Sequence, residues 1–329
     1  MCFDIIFPYI LNLSAVGRAA SFSTSAMSGI YAVVISVASV SVVILLKRFQ
    51  TMKNILKERN DAMKAIKSQN AALMRREENI TDSLIYAQRI QEARLPSEEY
   101  FRTHFPSSFV LFKPRNIVSG DFYWIGEKNE WIYVVAADCT GHGVSGALMS
   151  MIGIDILERT INENRVMLPS AILTRLDEAL ENTLNSRKNP DAVIADGMDI
   201  GLCAINKDSR KMVYSGAFFN MYLFRDNSLM QINGNKIVIG MNPDRDSYTD
   251  HEIDIEDDDI LYLFSDGYID QFGGNDNKKF MCRRLRYLLL NIHKFNVDDQ
   301  KSILDENFKT WMGDNQQVDD VMIVGLKPL

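Results

Sequence analysis

The chain has 329 residues, 47% of them hydrophobic and 24% charged, and its 43 acidic and 36 basic side chains give a net charge of −7. These values exclude intrinsic disorder or a many-span membrane protein for the whole chain, and the acidity excludes a general nucleic-acid binder, whose footprint would be basic. Cys2, Cys139, Cys203 and Cys282 lie far apart, with neither C-x-x-C zinc spacing nor a dense disulfide framework.

Residues 19–46 carry no charge, and Met27 to Leu46 (MSGIYAVVISVASVSVVILL) is a mostly apolar stretch of 20 residues. At about 1.5 Å rise per residue this is long enough to cross a hydrocarbon core of about 30 Å. A cleaved signal peptide places its basic residues before a shorter apolar run, whereas here they follow it, so an uncleaved single-pass anchor is expected. Arg18 is the only base before the span, and Lys47, Arg48, Lys53, Lys57, Arg59 and Lys64 come after it. The positive-inside rule therefore predicts a cytoplasmic location, at a bacterial inner membrane, for everything beyond residue 46, with residues 1–26 as a short extracytoplasmic segment.

Residues 47–95 contain no Pro or Gly and are rich in helix formers, which predicts one long helix. Steps of four and three from Met52 pick out Leu56, Arg59, Met63, Ile66, Asn70, Leu73, Glu77, Ile80, Leu84, Ala87 and Gln91. Seven of these eleven are apolar, the period of a coiled coil. A dimeric stalk is expected, with an amphipathic helix folded back on its own domain as the alternative for its last third. The segment holds 11 basic and 6 acidic residues, against 24 basic and 36 acidic in 96–329. A basic stalk suits an anionic inner leaflet.

Pro96 ends the helix. Beyond it, β-rich runs at Phe109–Phe112, Trp131–Ala137, Ile200–Ile205, Met212–Ser215, Met221–Phe224, Ile260–Phe264 and Val321–Leu326 mix with helical patterns over about 145–162, 169–185, 279–292 and 297–312. Strands and helices do not alternate regularly, so an α+β layered domain over 96–329 is predicted, not a doubly wound nucleotide fold.

Four places in this domain set Asp beside Gly or a second Asp at the end of an apolar run: Asp121 in SGD, Asp138 in ADCTGHG, Asp266 in SDG, and the pair Asp319 and Asp320. Any one of them is an ordinary turn signal. An Asp ending a buried strand such as WIYVVAA, however, costs several kcal/mol unless compensated. A shared hard cation, magnesium or manganese, would compensate for four of them together. Asp196 and Asp199 in DGMDIG could support a third ion, but turn residues starting a strand explain them equally, and Glu256 to Asp259 reads as a solvated turn.

The ordered set SGDFYW, ADCTGHGVSGALMS, SDGYIDQFGG and DDVMIVGL resembles the SpoIIE-like branch of the metal-dependent, protein phosphatase 2C-type serine/threonine phosphatases, over about residues 80–329. The resemblance implies an α+β fold, a two-sheet antiparallel β-sandwich flanked by helices, with two Mn2+ or Mg2+ ions at one end. It implies Asp138 as the carboxylate shared by both ions, the Cys139 carbonyl as a further ligand, and Asp121, Asp266 and either Asp319 or Asp320 completing the site. The implied reaction is hydrolysis of a phosphorylated protein substrate by metal-activated water, the partner being a signalling protein of the anti-sigma-factor-antagonist kind. A helical linker before the domain switches related enzymes on, and Asn79 to Leu95 resembles it.

His142 is a candidate general acid for the leaving serine oxygen, set against a histidine that only holds its loop. Arg115 is a candidate phosphate grip, set against an ordinary surface arginine. Cys139 has no Arg-rich phosphate loop and reads as filler, not as a nucleophile. Two other classes are weighed: a non-catalytic binding module on a dimeric stalk, against which all four acidic positions are filled, and a sensor histidine kinase, against which His104, His142, His251 and His293 all lie outside the stalk.

Overall fold

From Thr24 to Glu92 the chain forms a single helix, α1, in which the expected span and stalk are continuous. This computed structural model describes residues 24–163, 168–184, 196–242 and 246–329; most of the expected segment 1–26 lies outside them. The apolar part of α1 is fully exposed and long enough to cross a membrane. The chain divides into two compact units between Glu78 and Asn79, so the C-terminal end of α1 belongs to the second unit. There, Thr81, Leu84, Gln88 and Gln91 are covered while their neighbours stay exposed. Their spacing of three and four is one helix face. The helix stops at Glu92, short of the expected Leu95, and Ala93 to Leu95 close it with turn hydrogen bonds to Arg89, Gln91 and Glu92.

The second unit continues through α2 (Glu98–His104), β1 (Ser108–Lys113), β2 (Phe122–Lys128), β3 (Trp131–Cys139), α3 (Val144–Glu163), α4 (Pro169–Leu184), β4 (Met198–Asn206), β5 (Lys211–Ala217), β6 (Met221–Arg225), β7 (Ser228–Ile232), β8 (His251–Asp254), β9 (Ile260–Phe264), α5 (Gly267–Asp270), β10 (Phe272–Gly273), β11 (Lys278–Lys279), α6 (Cys282–Ile292), α7 (Val297–Met312) and β12 (Val321–Leu326). Two five-stranded sheets form, ordered β2-β3-β4-β5-β8 and β1-β12-β9-β6-β7, with antiparallel pairing throughout.

The pleat explains the layers. Along β3, Val134 and Ala136 join Cys203, Leu263 and Val324 in a core drawn from both sheets, while Val135 and Ala137 join Ile154, Leu157 and Leu173 of α3 and α4. On the other sheet, Tyr262 and Ile323 pack with Leu285, Leu289, Leu304 and Phe308 of α6 and α7. Alternate side chains thus serve opposite faces, and because both faces are covered the strands read as continuous apolar runs. The Glu256–Asp259 turn is less solvated than expected. Asp259 is buried and accepts from Arg225 Nε at 2.8 Å and Nη2 at 2.7 Å, because a carboxylate starting a buried strand needs a fixed counter-charge.

Candidate metal centre

Antiparallel pairing brings the ends of distant strands together. Asp121 immediately precedes β2, Asp138 lies near the end of β3, and Asp199 stands directly opposite Asp138 on β4. In the other sheet Asp266 follows the end of β9 and Asp319 precedes β12, whose Ile323 pairs with Phe264 of β9. A cavity of about 360 Å³ is lined by Asp138, Asp199, Asp266 and Asp319 together with Cys139 and the Thr140–His142 loop. Like charges directly opposite in a sheet are destabilising, so the Asp138 and Asp199 pair is itself a mark of a special site. The turn reading of Asp199 therefore misses its main feature, its cross-strand partner.

Burial and mutual repulsion push these acids up. Asp138 is raised to about 8 by burial and then by Asp266 and Asp319, Asp266 to about 6 by burial, Asp270 and Asp319, and Asp199 to about 6 by burial and Asp266. Asp121, only 2% exposed, is pushed well above the usual carboxylate range by burial and by Asp138, and its Oδ2 is buried with no hydrogen-bond partner. Such an orphaned oxygen costs about 1–3 kcal/mol unless something else satisfies it. An all-oxygen donor set with an unsatisfied buried carboxylate oxygen fits a hard divalent cation. Among the described residues no three acidic, His or Cys side chains are drawn closely enough together to hold an ion as they stand; Asp138, Asp199, Asp266 and Asp319 face one cavity without closing on one point.

The backbone around the cavity is packed without room for side chains. A Cβ on Gly120 would meet the Gly141 carbonyl at 2.7 Å and the Cys139 carbonyl at 3.3 Å. Gly141 and Gly143 take positive φ values of 87° and 66°, which glycine alone adopts without cost. The loop is pinned by Thr140, whose N–H and hydroxyl both donate to the Gly197 carbonyl.

The neighbours Asp319 and Asp320 do different things. Asp320 is buried, and its two oxygens accept from the backbone N–H groups of Arg115 at 2.6 Å and Gly120 at 2.7 Å, whereas Asp319 faces the cavity. Asp320→Ala is expected to leave two N–H groups stranded and to lower stability by about 2–4 kcal/mol in a thermal melt. Asp319→Asn is expected to melt near the wild type. The reverse ranking would assign the roles the other way round.

Arg115 reaches the site through its main-chain amide only; its side chain is exposed and does not line the cavity. His142 is exposed on the cavity rim and accepts from the Ser145 hydroxyl through its main-chain carbonyl. Cys139 is buried, and burial followed by Asp138 pushes its thiol well up, the opposite of an activated thiolate. A residue that sequence reasoning passed over as part of the site is Gln91 at the end of α1. It is buried, donating from Nε2 to the Ser119 carbonyl at 2.6 Å and to the Ser150 hydroxyl at 2.9 Å, and accepting from the Ser119 N–H at 3.0 Å. Its place on the heptad seam was the available signal.

Residues 128–328 match the family described as Stage II sporulation protein E (SpoIIE). The chain belongs to the SpoIIE family. One curated relative, phosphoserine phosphatase RsbU of Bacillus subtilis (strain 168), is 29% identical over 160 residues, 47% of this chain. The match spans 44% of RsbU, so less than half of that relative is represented. Among solved structures, the SiaA-PP2C domain of Pseudomonas aeruginosa is 30% identical with a TM-score of 0.69, covering 76% of this chain and 98% of that domain. The PP2C phosphatase domain of SpoIIE from Bacillus subtilis shares the fold at 16% identity and a TM-score of 0.54, covering 67% of this chain and 62% of that one. The SpoIIE-family part of this chain is thus a PP2C-type domain, as the motif order led us to expect, and its acidic cavity sits at one end of the two sheets.

Proposed function

We propose that the chain is a membrane-anchored, cytoplasm-facing, metal-dependent phosphatase that hydrolyses phosphoserine or phosphothreonine on a signalling partner protein. The observation that carries this reading is the gathering of Asp121, Asp138, Asp199, Asp266 and Asp319, from both sheets, at one end of a PP2C-type sandwich. Two Mn2+ or Mg2+ ions bound there would supply charge neutralisation of the phosphoryl oxygens and an activated water.

In this reading Asp138 would be the carboxylate common to both ions, and Asp121, Asp266, Asp319 and the Cys139 carbonyl would supply the remaining protein oxygens. Asp320 holds the loops of Arg115 and Gly120 in place. His142, on the exposed rim, delivers a proton to the departing serine oxygen. Because Asp138 must lose its proton to bind a cation, metal affinity rises with pH. Release of phosphate from a phosphoserine protein by the full-length chain in nanodiscs, with and without Mn2+, tests the proposal. Hydrolysis independent of Mn2+, or none at all, contradicts it. A non-catalytic binding module is the alternative, and the complete set of acids opposes it.

The basic segment after the span would lie against an anionic leaflet, and the exposed seam of α1 from Met52 to Glu77 would pair with a second copy. Regulation would pass through Gln91, which ties α1 to Ser119, two residues before Asp121. Gln91→Ala strands the Ser119 amide and leaves its carbonyl only the long bond from the Ser150 hydroxyl at 3.5 Å. It is expected to lower phosphatase activity at least tenfold at subsaturating Mn2+, with partial recovery at high Mn2+, measured by phosphate release. An unchanged Mn2+ dependence would remove Gln91 from the switch.

A further inference from the structure

Beside the acidic cavity lies a second one of about 130 Å³ that shares Asp138, Asp199 and Asp266 with it and extends away past Phe218 and Phe264 to Arg286 on α6. Arg286 is held by neutral groups. Its Nε donates to the Tyr222 hydroxyl at 2.8 Å, its Nη2 to Gln231 Oε1 at 2.5 Å, and the guanidinium lies 5.4 Å from the centre of the Tyr222 ring. It forms no ion pair with any described carboxylate, although three line the same cavity. A guanidinium fixed in orientation but lacking a counter-ion is preorganised to bind an incoming anion, because little further side-chain entropy is lost.

The rest of the wall suits a peptide. Phe218 is 50% exposed and takes a positive φ of 49°, a conformation that costs a bulky residue energy and presents its ring at the cavity edge. Exposed Met241 lines the neighbouring cavity. Apolar side chains at the rim of an acidic site serve a polypeptide better than a small phosphate ester.

Resting on the phosphatase reading above, we infer that this side cavity receives the residues flanking the phosphoserine and that Arg286 makes the site prefer a substrate with an acidic residue next to it. The occupant is a phosphorylated protein segment with a carboxylate close to the phosphate. A lysine in the same place meets a like charge, and a neutral residue gains nothing from the guanidinium. Arg286 is a specificity-determining residue, separate from the acids proposed to hold the cations.

The test uses the full-length protein with Mn2+ and two phosphoserine peptides that differ only in carrying Glu or Lys immediately before and after the phosphoserine. Wild type is expected to favour the Glu peptide by about two- to fivefold in kcat/KM, the scale of an exposed charge pair, and the preference should shrink as salt is raised. Arg286→Glu is expected to reverse the preference, and Arg286→Lys to retain part of it. Equal rates on the two peptides in wild type, or a preference unaffected by salt and by both substitutions, would overturn the inference while leaving the phosphatase reading intact. No hydrolysis of either peptide by wild type would instead overturn the phosphatase reading and this inference with it. The wild-type comparison stands even if Arg286→Glu fails to fold.

Discussion

Asp138→Asn is expected to abolish Mn2+-dependent phosphate release, by about a hundredfold or more, and at the same time to raise the melting temperature of the metal-free protein. Both effects come from one carboxylate. In the proposed site it would serve both cations, so its substitution would weaken the binding of each. In the metal-free fold it is a cost, since burial, Asp266 and Asp319 raise it from an ordinary 3.8 to about 8. A carboxyl raised on folding contributes stability that is complete below its unfolded value, near pH 4, and is lost as pH rises through about 8. Metal-free wild type should therefore lose stability relative to Asp138→Asn between about pH 4 and 8, with the gap widest at the alkaline end. Excess Mn2+ should reverse the ranking, because a ligand that binds only the folded state stabilises it. Thermal melts across that pH range, with Mn2+ or a chelator, check this. A variant that loses activity and is less stable without metal at pH 8 would show Asp138 to be a structural hydrogen-bonding residue.

Gly146→Ala is expected to be nearly as damaging, although Gly146 carries no functional group. The added methyl would meet the Gly141 carbonyl at 2.3 Å and the Gly120 Cα at 2.8 Å, both backbone atoms, so no side chain can swing aside. Either the start of α3 retreats or the loops bearing Asp121 and Asp138 separate. Overpacking costs about 1–3 kcal/mol, and displacing functional groups by about 1 Å can cost about a hundredfold in rate. We expect a lowered melting temperature and a fall in kcat that saturating Mn2+ does not restore. Wild-type kcat with normal stability would mean that the glycine cluster has no part in setting the site.

The sequence carried most of the α+β sandwich because both faces of its central strands are covered. β3, β4, β9 and β12 appear as apolar runs, and their observed limits fall within two residues of those expected. The strands left out are exposed or short of apolar pattern. β7 and β8 lie at sheet edges with alternating exposure, so SLMQI and HEID carry little hydrophobic signal. The short helix α2 depends on a single Ser97 cap accepting from the Tyr100 N–H, and β2, interrupted by Gly126, lacks the run of its neighbours.

The candidate site was legible to the same degree and for a related reason. Asp121, Asp138, Asp266 and Asp319 sit at strand ends, which local pattern reveals. The significance of Asp199 lies in its register against Asp138, and the separation of Asp319 from Asp320 lies in amides contributed about 200 residues earlier by Arg115 and Gly120. Gln91 lies on the heptad seam, but its bonds to Ser119 and Ser150, like the place of Arg286 on its cavity, come from tertiary packing that no spacing rule reaches.

Divalent-cation binding by these acids is directly measurable. Mn2+ binding followed by electron paramagnetic resonance on the full-length protein, alongside Asp121→Asn and Asp138→Asn, addresses it without any substrate. We expect two Mn2+ per chain in wild type, spin-coupled through the shared carboxylate, and loss of the coupled signal in both variants. An uncoupled signal that is the same in all three proteins, or no stoichiometric binding, would contradict the account.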